Sequence, residues 1–274
     1  MQRIEGHKPI RNRTKPATGM EAARLVRVPE WDPLVRYPDA AQGSFGSTRM
    51  LEVVFGRDDR IPAKDIKVNP WRQIAALRIA ASNQDFFVGT AWFIGPRTLV
   101  TAGHCLFLHK AGGFPLYIDV IPGKTGVVDP FGKARATEFR VVDGWRNLKR
   151  RDMDYGVIQL ADDALGKKLG WFAVDVLDDD ALKAAEVTIS GYPADRDNAD
   201  KQYFHKRKLD GVSPNRLEYE HDTFGGQSGS PIWMESGGAR VAVGVHTTGG
   251  ATSNSGTRIN EAVMENLITW VEEH

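Results

Sequence analysis

A chain of 274 residues can bury a substantial core, as one large domain or two small ones. Hydrophobic residues make up 41% and charged residues 26%, and a net charge of +1 supplies no field that would gather nucleic acid or an anionic membrane. The single cysteine, Cys105, excludes an intrachain disulfide.

Residues 1–52 are rich in Arg, Pro and Gly and hold no sustained period, so they are expected to form a loosely ordered leader or pro-segment. The N-terminus lacks the apolar segment of a secretory signal. Either the protein stays inside the cell or the sequence begins downstream of a removed signal. From Trp71 the texture changes. "IAALRI", "FFVGTAWFIG", "RTLVTAG", "LYIDVI", "EFRVVDGW" and "YGVIQL" are short runs rich in β-branched and aromatic residues, divided by Gly, Pro and Asp. Such spacing predicts an antiparallel barrel or sandwich. The longest apolar run, "FFVGTAWFIG", is about half of the roughly 20 residues a membrane helix needs.

"LDDDALKAAE" predicts a brief helix capped by Asp178 or Asp179, after which "VTISGYP", "RLEYEHD", "SPIWM" and "RVAVGVHTTG" return to strand. The end, "INEAVMENLITWVEEH", places Ile259, Val263, Leu267, Ile268 and Val271 at helical spacing behind a candidate cap, Asn260. No internal repeat is present.

Three stretches carry chemistry. "LVTAGHC" presents His104 just after an apolar strand, and "DMDYGVIQL" presents Asp154 at the mouth of another. A carboxylate there is costly unless hydrogen-bonded, so a buried partner is implied. Alone, a histidine placed like His104 is more often structural, and Asp152 better fits a surface acid. "DTFGGQSGSP" surrounds Ser228 with Gly225, Gly226 and Gly229, whose backbone freedom lets the N–H groups of Gly226 and Ser228 converge. A serine nucleophile needs a base, a group that orients the base, and donors for an oxyanion.

In the order His, Asp, Ser, "TAGHC", "DYGVIQL" and "GGQSGSP" resemble the chymotrypsin-like serine proteases. With "VFGRDDR", "ISGYPADR", "GVHTTGG" and the terminal helix, the resemblance narrows to the bacterial glutamyl endopeptidases and runs from about Val53 to the C-terminus. It implies an all-β, chymotrypsin-like double β-barrel with a C-terminal helix. A protease domain would span 53–274, with six-stranded antiparallel barrels at roughly 53–165 and 166–258 and a helix at 259–273. His104, Asp154 and Ser228 would form the triad, and the N–H groups of Gly226 and Ser228 the oxyanion hole. Gln227 stands where trypsin-like zymogens keep an Asp, so activation by pairing a new amine with that Asp is not expected.

The resemblance also places Thr223 and His246 in a pocket for an acidic side chain, with charge added if His246 is protonated. An inward-facing Asp222 would oppose that preference. Thr247 to Gly249 would pair with substrate backbone. Cleavage is expected after Glu, less readily after Asp. Glu52 precedes Val53, the implied mature N-terminus, so the enzyme could remove its own leader. The expected protein is a monomer acting on proteins or peptides, with no cofactor, metal, nucleic-acid or membrane partner. His104, Cys105 and His109 lack metal-site spacing, and Cys105 is expected to pack as a small apolar residue. Two rivals share the fold, a protease of other specificity and a non-catalytic binding module. An α/β-hydrolase is disfavoured because "GQSGS" does not close the Gly-x-Ser-x-Gly elbow.

Overall fold

The structure, a computed structural model, describes residues 6–12, 31–32, 35–46, 54–249 and 253–273. In chain order it begins with β1 (Pro9–Arg11), α1 (Ala40–Phe45), β2 (Ile61–Pro62), β3 (Ile74–Ala80), β4 (Phe86–Phe93), β5 (Thr98–Thr101) and α2 (Gly103–Leu106). Next come β6 (Tyr117–Pro122), β7 (Ala134–Ala136), β8 (Glu138–Val142), α3 (Asp143–Arg146), β9 (Gly156–Gln159), α4 (Ala164–Leu169) and β10 (Ala173–Val174). The second half carries α5 (Asp179–Ala184), β11 (Glu186–Gly191), β12 (Tyr203–Lys208), β13 (Gly211–Val212) and β14 (Arg216–Tyr219). It closes with β15 (Pro231–Ser236), β16 (Ala239–Gly249), β17 (Asn254–Arg258) and α6 (Glu261–Glu272).

The strands form two curled sheets, ordered β1-β8-β9-β5-β4-β3-β6-β7 and β13-β14-β17-β16-β15-β11-β12-β2. Pairing is antiparallel throughout except for β10, which adds parallel to β16. Each sheet curls as half of a chymotrypsin-like double barrel. Edge additions take the described strand counts to eight and nine rather than six each, because β1 joins β8 and short β7 joins β6 in the first sheet, and short β2, β10 and β13 extend the second.

Every residue of β3 and β4 is buried, which explains why "FFVGTAWFIG" reads as a continuous apolar run. The main core crosses the seam, where the Phe172 ring sits 5.5 Å from Trp92 and 6.1 Å from Trp233.

Asp178 caps α5 through Ala181 N at 2.8 Å, and Asn260 caps α6 through Val263 N at 3.1 Å. The apolar face of α6 is narrower than its spacing predicts. Val263, Leu267 and Trp270 are buried, whereas Ile268 is 50% exposed, being one residue around the helix from Leu267. Gln159 Nε2 donates to Trp270 O at 2.8 Å, tying this last helix back to the first sheet.

Within residues 1–52, where the sequence predicts loose order, the described residues include β1, paired with β8, and α1, capped by Asp39 through Ala41 N at 2.6 Å. Glu52 and Val53 lie outside the described residues.

Candidate active site

β5 and β9 pair in the register Thr101↔Gly156, so the residues just beyond β5 and just before β9 emerge side by side. His104 follows β5 on α2, and Asp154 ends the turn Arg151–Met153 that leads into β9. A Cβ at Gly103 would lie 2.9 Å from the Trp145 ring and 3.0 Å from Asp154 Oδ1, so the close approach requires glycine. Asp154 is fully buried, and both of its oxygens are used: Oδ1 accepts from His104 N at 2.8 Å, and Oδ2 lies 2.7 Å from His104 Nδ1. A carboxylate acceptor places a proton on Nδ1 and leaves Nε2 on the far side of the ring. Nε2 has no hydrogen-bond partner among the described residues. Burial works against a charged His104, but the Asp154 carboxylate, helped by Cys105, holds its pKa well above the ordinary value.

The loop bearing Ser228 is pressed between the sheets. Thr90 N on β4 donates to Ser228 O at 2.8 Å, while Gly229 N donates to His246 O on β16 at 2.7 Å. Gly229 has φ +89°, and a Cβ there would fall 2.2 Å from both Thr101 Oγ1 and Thr90 O. Gly226, at φ +101°, would put a Cβ 2.4 Å from Tyr192 O. Both positions demand glycine for room and for backbone conformation. Cys105, next to His104, is buried with Sγ 3.8 Å from Ser228 O.

The Ser228 hydroxyl lies 3.4 Å from Asp39 Oδ1 and 3.4 Å from Thr247 O. Gly226 N donates to Asp39 Oδ2 at 2.5 Å. Asp39 is the site residue that sequence reasoning misses. A signal was present: Asp39 followed by "AAQ", with Gly46 behind, has the form of a capped short helix.

Thr223 and His246 are fully buried, and Thr223 Oγ1 has no hydrogen-bond partner among the described residues. His246 Nδ1 lies 2.5 Å from the Tyr219 hydroxyl. Where that phenol donates, the ring keeps its proton on Nε2. Burial outweighs the charges around His246 and pushes its pKa down to about 3, so the ring is neutral at neutral pH. The charge that sequence reasoning allowed for His246 is thus absent from this closed site. The Asp222 carboxylate is committed elsewhere, accepting from Phe55 N at 2.7 Å and Asp59 N at 2.8 Å. Thr247, Thr248 and Gly249 end β16. One edge pairs with β17, and among the described residues no strand lies on the other edge beyond Val245.

Residues 89–244 match the family model described as a trypsin-like peptidase domain. The chain is 34% identical over 228 residues to a glutamyl endopeptidase of Bacillus licheniformis, covering 80% of this chain and 69% of that one. It is 29% identical over 222 residues to a Bacillus subtilis protein named an extracellular metalloprotease, covering 80% and 70%. A solved Glu endopeptidase in complex with MPD superposes with a TM-score of 0.73 at 27% identity, over 80% of this chain and all of that one. Matched by family model, by sequence and by fold, this serine endopeptidase belongs to the trypsin-like peptidases and, within them, to the glutamyl endopeptidases.

Proposed function

We propose that Ser228 is the nucleophile, His104 its base and Asp154 the group that orients the base, and that the enzyme cuts after Glu and less readily after Asp. The Ser228 oxygen would attack the scissile carbonyl while His104 Nε2 takes its proton. Asp154 would stabilise the imidazolium through the 2.7 Å contact at Nδ1. The imidazolium would then protonate the leaving amine, and water would hydrolyse the acyl-enzyme by the same route. Gly226 N–H and Ser228 N–H would bind the developing oxyanion, each such donor worth roughly 2.7–4 kcal/mol of barrier.

The Thr223 hydroxyl, buried and without a hydrogen-bond partner among the described residues, carries the Glu preference. A buried polar atom is costly when left unpaired, and a substrate carboxylate would satisfy this one. Its negative charge would also raise the His246 pKa from about 3, offsetting burial. Asp222, held by Phe55 N and Asp59 N, supports the same preference, because its carboxylate has partners elsewhere. The open edge of β16 at Thr247–Gly249 fits substrate backbone added as a strand. Residues 1–52 would be a leader removed at Glu52–Val53. Incubation with a proteome-derived peptide library tests the reading: cuts should fall after Glu, then Asp, and a profile dominated by Arg, Lys or Phe would overturn it.

A further inference from the structure

We infer that Asp39 is the residue by which the leader holds this protease latent, its carboxylate occupying the oxyanion hole until the leader is released. The inference rests on the roles proposed above for Ser228 and Gly226.

The leader reaches the site along β4. Pro38 O accepts from Val88 N at 2.9 Å, and Asp39 forms a parallel bridge with Val88 on β4. That pairing fixes where the Asp39 side chain falls. Oδ2 accepts from Gly226 N at 2.5 Å, Oδ1 lies 3.4 Å from Ser228 Oγ, and Oδ1 also caps α1 through Ala41 N at 2.6 Å. Asp39 is 3% exposed, so its charge has given up water and depends on these donors. One of them is an N–H assigned to a reaction oxyanion. A carboxylate oxygen there presents the negative charge that the tetrahedral intermediate would develop. As a free acid it offers no ester or amide bond to cleave, so it blocks the hole without being consumed.

Beyond Asp39, α1 covers the base. Lys110 N donates to Gly43 O at 2.7 Å, and Ser44 Oγ donates to Phe107 O at 3.2 Å. The Phe45 ring stands 6.0 Å from the His104 ring and 5.6 Å from Trp145. With this cover in place, His104 and Ser228 are both fully buried. Upstream, Tyr37 packs its ring 5.3 Å from Phe86. Helix packing thus delivers the carboxylate, and the carboxylate disables the site.

The test measures the rate at which a fluorophosphonate labels Ser228 in the full-length chain, carrying Glu52→Gln so that the leader stays attached, with intact mass as the check. Asp39→Ala removes the carboxylate. Asp39→Asn keeps the helix cap and the shape but not the charge, which guards against a folding defect. Both should label at least about tenfold faster than the parent, the scale set by a hydrogen bond to a charged group. Leader-free enzyme, prepared by limited proteolysis of the folded chain, should label faster still. If both Asp39 variants label at the parent rate while leader-free enzyme labels rapidly, Asp39 is not the inhibitory residue. Parent labelling as fast as leader-free enzyme would overturn latency itself. Failure of leader-free enzyme to label would instead defeat the catalytic reading of Ser228.

Discussion

Thr223→Val should make the protein more stable and a poorer enzyme. Thr223 is fully buried, and its hydroxyl has no hydrogen-bond partner among the described residues. Valine keeps the branched shape and removes the unsatisfied oxygen, a group whose burial costs about 1–3 kcal/mol. In a protein of this size each kcal/mol moves Tm by roughly 2–4 °C, so a rise of about 2 °C or more is expected. Calorimetry on the full-length chain in a Ser228→Ala background, which cannot process itself, reads this directly. Catalysis should move the other way. A hydrogen bond to a charged group is worth about 1.5–3 kcal/mol and one to a neutral group about 0.5–1.5. Loss of the hydroxyl should therefore lower kcat/KM for a Glu peptide about tenfold more than for its Gln counterpart. The leader-free enzyme and a matched peptide pair provide the measurement. A lower Tm together with an unchanged Glu-to-Gln ratio would refute the reasoning, since the hydroxyl would then already be satisfied and would not face the substrate carboxylate.

Asp154→Asn should lower kcat by about 10⁴ with the near-UV circular dichroism preserved, because the amide no longer fixes the His104 tautomer. Acid should destabilise the full-length chain through His221 and His246, whose pKa values burial pushes down to about 3. The unfolded chain binds those protons first, so this stability is present above about pH 6.5 and is lost as pH falls from there towards 3. Tm measured from pH 7 to pH 4 should fall, and His221→Gln should flatten the slope; an unchanged slope would remove His221 from the account. Hydrolysis by leader-free enzyme should survive a metal chelator and be abolished by a fluorophosphonate. Loss of activity on chelation alone would favour the chemistry in the name of the Bacillus subtilis relative.

Much of this architecture is legible in the sequence because its strands are short, apolar and separated by turn residues. The glycines around Ser228 are legible for the same physical reason: at Gly226 and Gly229 the backbone conformation and the close approach of neighbouring chain exclude any side chain. Burial of an acid before β9 likewise signals a partner, and Asp154 has His104. The buried face of α6 is narrower than its spacing implies, since apolar residues on an exposed flank obey the same spacing as those inside. Asp39 was hidden because α1 is only six residues long and its carboxylate acquires meaning through Gly226, 187 positions away. Asp222 could not be oriented either, because its partners are backbone N–H groups at Phe55 and Asp59, invisible to any side-chain pattern. The contact between the Tyr219 hydroxyl and His246 Nδ1 depends on pairing through β17, a register no local pattern encodes.

The most direct test of the central claim is peptide mapping of leader-free enzyme after reaction with a fluorophosphonate. A single adduct on Ser228, lost when His104 is replaced by Ala, is the result the account predicts. An adduct on another residue, or undiminished labelling without His104, would contradict it.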